Sequence, residues 1–377
     1  MKNLMLCGIY VHNNKLIASQ FVHAQALAIK KQGHDVAVLS LDMRSIRQKR
    51  KWGVYLQNID DVPVTVASFP CGPIPYLLDF ISKHMCKLGF KTVLENFGKP
   101  DIIHAHFQYA NSISKIAQKE EIPILTTEHA TWVLNQNRTP KKEKLARRAY
   151  IASNKVICVS KDLCKSIKSF YDKDVEIVPN IVSSHFINKN LEKYEDFTFI
   201  SIGNFVRHKN HHLTIQAFKK FNDLYPNSKL LIAGKGVLEQ EYIDLIKELK
   251  LTSNVEILGY VQNTKLVEYY NKSHCFCLPS EYETFGVVYI EALACGLPVI
   301  ATENSKYNQI IDESNGLSLS EYTVDSIFKA MCYIYDNYDN YKAKKISEDC
   351  LAKYGEDIVA RQIIGKYEEI LNEKFSN

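Results

Sequence analysis

The sequence of 377 residues contains no run of 18 apolar residues, the minimum for a membrane-spanning helix. Its ten cysteines form no C-x-x-C pair, and several lie inside apolar segments. This pattern argues against a disulfide or zinc framework and for reduced thiols in the cytoplasm. The sequence also lacks an internal repeat and a low-complexity linker. We therefore expect neither an integral membrane protein, nor a disulfide-stapled fold, nor a repeat array.

The length and charge distribution indicate two domains. A chain of 377 residues exceeds the size at which a single hydrophobic core stops growing, and a hydrophobic content of 46% allows ample burial. The net charge of +5 is uneven: residues 1–190 contain 27 Lys and Arg against 15 Asp and Glu, whereas residues 191–377 contain 20 against 27. The first half therefore has a net charge of +12, which favours anionic partners such as an acidic membrane surface or nucleic acid. The alternative is that this charge has no binding role.

Residues 275–302 are the most informative stretch. An apolar strand ends at Pro279, a polar turn follows, and an apolar helix is predicted from Phe285 to Cys295. Gly296 and a proline soon after it stop the helix, and Val299–Ala301 begins the next strand. In a parallel sheet, ligands collect at the carboxyl ends of the strands, and a following helix points its free N–H groups at them. The turn is therefore a candidate anion site.

Two carboxylates flank the start of this helix. Glu283 precedes it, and Glu291 lies eight residues on, about two turns along an otherwise apolar helix. A buried, ionised carboxylate needs hydrogen-bond donors, because burying it unpaired costs several kcal/mol. A pair of sugar hydroxyls is one such donor set. The spacing alone supports a second interpretation equally well. In that interpretation Glu283 is a charge at the helix start, and Glu291 lies on a solvated helix face.

The same stretch resembles a known family. Glu283 and Glu291 reproduce the E-x7-E signature of retaining GT-B glycosyltransferases of the family 4 type, and the flanking segments 279–280, 284–286 and 291–302 are also similar to that family. The resemblance implies an α/β fold with two Rossmann-like domains facing across a cleft. Residues 1–180 would form the acceptor domain, residues 197–355 the nucleotide-sugar domain, and residues 356–377 a helix packing back on the first domain.

The first residues fit the opening of such a domain. Leu4–Val11 reads as a buried strand rather than a signal peptide, Ser19–Gln32 as a helix, and Asp35–Leu41 as a second strand. Many relatives carry a glycine-rich turn after the first strand, whereas residues 11–19 contain no glycine. Further on, we predict helices over Val324–Leu351 and Glu356–Phe375.

The second half contains a candidate diphosphate clamp. In the turn at residues 203–210, Lys209 supplies a point charge and Arg207 a planar donor fork. The family usually has Gly-Arg at the start of this turn and a lysine five residues after the arginine. Gly203 and Lys209 match that pattern, but Asn204 stands at the arginine position, and Arg207 is the candidate to compensate. His208, His211 and His212 read as a solvated helix start, not a metal cluster.

Three histidines follow predicted strands in the first half. His104 and His106 alternate on one face, and His129 comes just after the strand Ile122–Thr127. Three histidines allow a metal site, but no carboxylate spacing supports one. The Thr-Glu-His ending resembles the family position at which a histidine reaches the donor sugar, so His129 is either that residue or a structural hydrogen-bonding group.

Three basic segments of the first half leave a membrane role open. They are residues 44–51, the helical stretch Pro75–Phe97, and Lys141–Arg148. In the family such segments often rest on the inner membrane leaflet; ordinary solvated surface is the alternative.

Asp172–Asp174 is formally D-x-D, a metal-nucleotide motif of another glycosyltransferase fold, but it reads as a turn.

The resemblance implies a retaining hexosyltransferase that uses a UDP- or GDP-linked sugar and a saccharide or lipid-linked acceptor in surface polysaccharide or glycoconjugate synthesis. It would be cytoplasmic or peripheral on the inner membrane face, with no metal, no other cofactor and no nucleic acid. A GT-B epimerase, a phosphorylase or a nucleotide-sugar-binding module are the alternatives. The implied catalytic residues are His129, Glu283 and Lys209. The implied donor-binding residues are Gly203, Asn204, Arg207, Lys209, Glu283, Thr284, Phe285, Gly286, Val287 and Glu291.

Overall fold

The structure is a computed structural model that describes residues 3–8, 20–45, 47, 49–70, 75–134, 138–302 and 310–375. The chain divides into two compact units. The first unit comprises Met1–Ile181 together with Glu356–Asn377, and the second comprises Val182–Gly355. The glycine-free segment at residues 11–19 lies outside the described residues, and so do residues 303–309.

The first unit is built on an eight-stranded sheet in the order β3-β4-β2-β1-β5-β6-β7-β8, with helices between most strands. All neighbouring pairs are parallel except β3 and β4. The strands are β1 (Asn3–Gly8), β2 (Asp35–Asp42), β3 (Gly53–Ile59), β4 (Val62–Ser68), β5 (Ile102–His106), β6 (Ile124–Glu128), β7 (Lys155–Cys158) and β8 (Val175–Ile177). The helices are α1 (Gln20–Lys31), α2 (Pro75–Phe97), α3 (Tyr109–Lys119), α4 (Thr131–Leu134), α5 (Pro140–Ile151) and α6 (Lys161–Lys168).

The hairpin β3-β4 was not predicted from the sequence. Its two-residue turn consists of Asp60 and Asp61, with φ values of 48° and 61°. Two successive positive φ values match the right-handed twist of the flanking strands, and Asn-Gly or Asp-Gly is the usual signal for such a turn. Asp-Asp carries that signal only weakly, because aspartate tolerates a left-handed backbone less readily than glycine.

The second unit is built on a six-stranded, all-parallel sheet in the order β11-β10-β9-β12-β13-β14. The chain runs outward from β9 to β11, then returns to place β12 on the other side of β9. The carboxyl ends of β9 and β12 therefore form the topological switch point at which ligands bind in open α/β sheets. The strands are β9 (Phe197–Ile202), β10 (Ser228–Ala233), β11 (Val255–Gly259), β12 (Cys275–Leu278), β13 (Val299–Thr302) and β14 (Gly316–Leu319).

Helices connect most strands of the second unit and follow its last strand. They are α7 (His211–Leu224), α8 (Glu239–Glu248), α9 (Asn263–Lys272), α10 (Val287–Ala294), α11 (Val324–Asp336) and α12 (Ala343–Tyr354). The prediction of one helical segment over Val324–Leu351 was wrong, because a 3₁₀ turn at Tyr338–Asn340 separates α11 from α12. Asn337, whose side-chain amide donates to the Tyr333 carbonyl at 2.9 Å, ends α11. Side chains that bond the backbone locally compete with helix continuation.

The last helix, α13 (Glu356–Phe375), belongs to the first unit. Its apolar face contributes Val359, Ile363 and Tyr367 to the same buried core as residues of α1, β1 and β2. Lys155 also contacts Glu369 of α13 at 2.6 Å. Within the described residues, no helix combines the length and hydropathy that crossing a bilayer requires.

Candidate functional site

The switch point of the second sheet carries two facing segments. Residues 203–210, the cation loop, follow β9, and residues 279–286, the carboxylate turn, follow β12. Two hydrogen bonds connect these segments. The Glu281 N–H donates to the His208 carbonyl at 2.7 Å, and the Asn210 side-chain amide donates to the Pro279 carbonyl at 2.8 Å. The His208 ring also stacks on Tyr282, with centroids 4.5 Å apart. No sequence pattern predicted these pairings, although Asn210, at φ 55°, is of a residue type suited to a left-handed position.

An ion pair joins the same two segments. Lys209 Nζ contacts Glu283 Oε1, and the Ser280 hydroxyl donates to that oxygen at 3.0 Å. Both charged side chains are only about one-seventh exposed, at 15% and 13%. The two predicted catalytic residues of this unit therefore lie in contact. A lysine ammonium has three donors, so it can turn from the carboxylate to another anion without leaving the site.

Close backbone packing explains the glycines around the cation loop. A Cβ on Gly234 would lie 1.9 Å from the Gly203 carbonyl oxygen, and one on Gly236 would lie 2.5 Å from the Phe205 carbonyl oxygen. The Phe205 N–H donates to the Lys235 carbonyl at 3.0 Å. The cation loop is thus supported by residues 234–236 and also bonded to the carboxylate turn.

Arg207 and Asn204 lie at the surface of the cation loop. Arg207 is 68% exposed, and its guanidinium donates to Glu241 of α8 at 2.7 Å. Asn204 is also exposed. The structure therefore brings Lys209 to Glu283 but directs Arg207 to a different carboxylate.

The expectation that His211 belongs to a solvated helix start was wrong. His211 is fully buried, and its Nδ1 lies 3.1 Å from the Ser201 hydroxyl. Burial lowers the pKa of this imidazole to about 3, so the ring is neutral. His211 therefore supports the start of α7 from the inside.

Glu291 is buried inside the second unit, so the alternative of a solvated helix face is wrong. It is 7% exposed, and among the described residues its carboxylate has one hydrogen bond, from the Tyr270 hydroxyl at 3.3 Å. Burial raises the pKa of Glu291 to about 8. A carboxylate with four lone-pair positions and one weak donor can accept further hydrogen bonds. Tyr270 was not predicted as a site residue. It lies on α9, 21 residues before Glu291, and no local spacing predicts a hydrogen bond between the two.

Gly286 forms the turn into α10. Its φ is 84°, and a Cβ there would lie 2.3 Å from Cδ2 of the Tyr289 ring. That ring cannot move aside easily, because it is buried and its hydroxyl donates to the Leu278 carbonyl at 3.0 Å. The other turn residues differ in burial: Thr284 and Val287 are half-buried, whereas Phe285 is 7% exposed. α10 begins four residues after Glu283, and the N–H groups of its first residues have no partner in the i→i−4 ladder of the helix.

His129 lies in the first unit, just after β6. The Glu128 carboxylate accepts the N–H groups of His129 and Ala130 at 2.8 and 2.7 Å, and the Tyr150 hydroxyl at 2.7 Å. This anchoring role of Glu128 was not predicted. His129 lines a cavity of about 330 Å³ at the carboxyl ends of β5 and β6. The cavity is lined by Phe107, Gln108, Tyr109, His129, Ala130, Thr131 and Trp132.

The three histidines form a row of buried rings. His104 uses both ring nitrogens, one with the Tyr367 hydroxyl at 2.7 Å and one with the Thr127 hydroxyl at 2.6 Å. His106 Nδ1 lies 3.1 Å from His129 Nε2. Within the described ranges, no group of three His, Cys, Asp or Glu side chains has a geometry that could hold a metal ion. The row is therefore a hydrogen-bonded cluster.

Comparison with known proteins identifies two matching family models. Residues 183–349 match the model for glycosyl transferases group 1, and residues 18–186 match the model for glycosyltransferase family 4. An uncharacterised glycosyltransferase of Methanocaldococcus jannaschii is 31% identical over 54% of this chain, a match that spans 56% of that protein's own length. The alpha-monoglucosyldiacylglycerol synthase of Acholeplasma laidlawii is 23% identical, with 73% of this chain and 76% of that protein covered.

A solved structure has the same fold. HepE from Anabaena, in complex with UDP and glucose, superposes with a TM-score of 0.73 at 16% sequence identity. The superposition covers 98% of this chain and 99% of HepE. At that identity the likeness concerns the fold alone.

The geometry around Gly286 generates a first prediction. Gly286→Ala places a side chain at positive φ and against the fixed Tyr289 ring, so we expect it to destabilise the second unit by about 2 to 5 kcal/mol. Gly259→Ala is the matched control, because Gly259 has φ 66° but its Cβ would meet nothing within 4 Å. Thermal unfolding of both variants measures the difference, and equal losses would show that the Tyr289 contact does not matter.

Proposed function

This chain belongs to the GT-B glycosyltransferases of the family 4 type, and from that premise we propose that it transfers a hexose-type sugar, with retention of configuration, from a UDP- or GDP-linked donor to a hydroxyl of a saccharide or lipid-linked acceptor. The observation that carries the proposal is the pairing of Lys209 with Glu283 at a sheet switch point, beside a helix whose Glu291 is buried with spare acceptor capacity. Synthesis of surface polysaccharide or glycoconjugate is the process we assign to it.

Glu291 would bind the ribose of the donor. Two adjacent hydroxyls can both donate to one carboxylate, and each hydrogen bond to a charged group contributes about 1.5 to 3 kcal/mol. Glu291 has the room for them, since Tyr270 is its only hydrogen-bond donor among the described residues. The ligand would thereby supply the donors that an ionised carboxylate in this apolar helix lacks.

The diphosphate would take Lys209 from Glu283. The diphosphate of the donor carries two negative charges against the one charge of the carboxylate, and it would also face the first N–H groups of α10. Lys209 would therefore form charge-assisted hydrogen bonds to the diphosphate in place of the one to Glu283. Glu283, released from Lys209, would then accept hydrogen bonds from sugar hydroxyls. Arg207 contributes to phosphate binding in this scheme only after leaving Glu241.

The reaction itself would need no protein nucleophile. The bond between the anomeric carbon and the phosphate oxygen breaks, and its electron pair stays on the diphosphate. The acceptor oxygen attacks from the same face, and its proton passes to the departing phosphate oxygen. Lys209 and the α10 amides would stabilise the charge that develops on the phosphate, while His129 would hydrogen-bond a hydroxyl of the sugar.

Two substitutions separate binding from rate. We expect Glu291→Ala to weaken donor binding at least tenfold, because two ribose hydrogen bonds are lost, with a smaller effect on kcat. We expect Lys209→Ala to lower kcat by about 10² to 10³ with a smaller effect on KM, because Lys209 stabilises charge that develops during bond cleavage. Steady-state kinetics with a panel of UDP- and GDP-linked sugars measures both effects.

The control for this experiment is Lys220→Ala, which removes another paired lysine of the second unit at an exposed position. Its kinetics should match the wild type. Near-normal transfer by both Glu291→Ala and Lys209→Ala would remove this site assignment.

The pKa of Glu291 predicts proton release on binding. With a pKa of about 8 the free enzyme keeps this group mostly protonated at about pH 7, and ribose hydroxyls that donate to the carboxylate lower its pKa. Nucleoside diphosphate binding should therefore release up to one proton at about pH 7 and none well above the free-enzyme pKa. Calorimetry in buffers of different ionisation enthalpy measures it, and Glu291→Gln should abolish it; a wild type that releases no proton would contradict the role.

The outer face of α2 would contact an anionic membrane surface. Phe80 is 69% exposed and Leu88 36% exposed, and Lys87 and Lys91 follow at helical spacing on the same face. In the predicted basic segment at residues 44–51 the geometry is different. Arg44 and Arg50 both contact Asp42, at 2.7 and 3.1 Å, so their charges are partly neutralised inside the unit.

Vesicle sedimentation tests this surface. We expect the protein to sediment with vesicles rich in anionic lipid at low salt, and Phe80→Glu combined with Lys87→Glu to lower the bound fraction severalfold. Lys247→Glu, an exposed lysine of the second unit, changes the net charge without touching α2 and should leave binding nearly unchanged. A wild type that stays in the supernatant at low salt would contradict the membrane contact.

A further inference from the structure

The first sheet ends on one side in β3, whose outer edge pairs with no strand among the described residues. The N–H and C=O groups of such an edge can pair with a strand of another chain, and proteins commonly protect an edge with a charged residue, a proline, a bulge or a very short strand. The seven residues of β3 include no charged residue and no proline, and β3 pairs with β4 without a register shift. None of these devices therefore protects the outer edge of β3.

The turn of the β3-β4 hairpin determines which backbone groups of β3 point outward. In a two-residue turn the flanking residues, here Ile59 and Val62, form a hydrogen-bonded pair, and hydrogen-bonded and non-hydrogen-bonded pairs alternate from there. Asn58 lies opposite Pro63, which has no N–H, as a non-hydrogen-bonded pair allows. Three alternate residues, the outward set, therefore direct their N–H and C=O groups away from β4. They are Val54, Leu56 and Asn58.

The outer part of β3 also exposes apolar side chains. Leu56 is 44% exposed, and Trp52, which comes just before the strand, is 41% exposed. Asn58 is exposed as well. A second strand beside β3 would cover this apolar surface as well as the outward backbone groups.

Charges of opposite sign stand at the two ends of β3. Lys51 lies two residues before the strand, and Asp60 and Asp61 follow it directly. All three residues are exposed. In an antiparallel pairing with a second copy of β3, the basic end of each strand meets the acidic end of the other. A parallel pairing would instead place like charges opposite each other, which is destabilising.

The outward set determines the register of an antiparallel pairing between two copies. Only residues with outward backbone groups can form hydrogen-bonded pairs, and the longest overlap places Leu56 opposite Leu56 of the partner subunit. Val54 then pairs with Asn58 of the partner subunit, so each copy donates three N–H groups to the other. In the same register Lys51 lies opposite Asp61 of the partner subunit.

We propose that β3 is the interface of a two-fold dimer, in which the β3 strands of two copies pair antiparallel with Leu56 at the two-fold axis. A two-fold interface uses the same surface on both copies and therefore closes at two chains. The dimer does not depend on the proposed sugar transfer.

The dimer has a consequence for α2. Residues directly opposite each other in an antiparallel pair lie on the same side of the sheet, so the two-fold axis is perpendicular to the sheet. A Cβ on Gly89 of α2 would lie 3.5 Å from the Ala67 Cβ, and Ala67 lies opposite Val54 of β3. Both copies of α2 therefore lie on one side of the joined sheet. This arrangement would double the membrane surface of α2, a step that rests on the proposed function.

Sedimentation velocity of the full-length protein without lipid tests the dimer. Over a range of concentrations we expect a reversible transition from one copy to two and no larger species. Leu56→Lys places two like charges at the axis from an exposed position, so we expect at least tenfold weaker dimerisation and unchanged thermal unfolding. Leu224→Lys, at an exposed position of the second unit, is the matched control and should dimerise like the wild type.

Three results of the sedimentation experiment would overturn the proposal. They are a wild type that stays monomeric up to its solubility limit, a series of species larger than a dimer, and a Leu56→Lys variant that dimerises like the wild type.

Residue-resolved amide hydrogen exchange locates the interface. The N–H groups of the outward set should exchange slowly in the dimer and fast at dilutions at which the monomer predominates. The N–H groups of Tyr55 and Gln57 point to β4, so their exchange should not respond to dilution in this way. A dimer whose outward set exchanges as fast as in the monomer would use another surface and would contradict the proposal.

Complementary charge reversals test the register. Lys51→Glu opposes a like charge at residue 61 of the partner subunit, and Asp61→Lys opposes one at residue 51, so each variant alone should dimerise severalfold more weakly than the wild type. An equimolar mixture brings opposite charges together at both ends and should restore dimerisation. Lysine can adopt the left-handed backbone of Asp61, since Lys250 has φ 57°. A mixture that dimerises no better than the separate variants would refute this register.

The same mixture tests the consequence for α2. Its binding to anionic vesicles should exceed the mean of the two separate variants, because the total charge is the same and only the pairing differs. Binding equal to that mean would show that the dimer does not double the membrane surface. The dimer itself is decided by the experiments without lipid.

Discussion

The ion pair between Lys209 and Glu283 is the interaction around which the second unit is arranged. It forms only because β9 and β12 are neighbours in the sheet, although 72 residues of chain lie between the end of β9 and the start of β12. The hydrogen bonds and the ring stack between the cation loop and the carboxylate turn hold both charges at this position, and the glycines of residues 234–236 let the cation loop approach a third strand end. A charge pair held by its surroundings costs little reorganisation when one partner is exchanged for a ligand.

Two buried carboxylates differ in how much of their hydrogen-bonding capacity the protein itself uses. Glu128 accepts three hydrogen bonds from its own unit, so its acceptor capacity is largely used and it fixes a turn. Glu291 is buried to a similar degree but accepts one long hydrogen bond among the described residues. Burying a carboxyl group with so few hydrogen bonds destabilises the folded protein. A ligand that donates hydrogen bonds to Glu291 would offset this cost.

Much of this arrangement follows from sequence patterns. The bounds of α2 and α13 were predicted to the residue, because apolar residues recur at helical spacing there. The position of the carboxylate turn followed from the strand, turn and helix pattern between residues 275 and 302. The burial of Glu291 could be suspected from its apolar neighbours but not established. Periodicity describes one segment at a time, and the partners of the site residues come from other segments: Tyr270, Tyr282 with His208, and His106 with His129 are all tertiary contacts.

The course of the chain through its two units has a consequence for synthesis on the ribosome. Residues 1–181 emerge first, yet their core is completed by α13, which is translated after the whole second unit. Val359, Ile363 and Tyr367 fill space against α1, β1 and β2, so the nascent first unit has an uncovered apolar face while about 170 further residues are added. The later unit can finish folding before the earlier one does, and a nascent chain of this protein is a natural client for chaperones that shield apolar surface during translation.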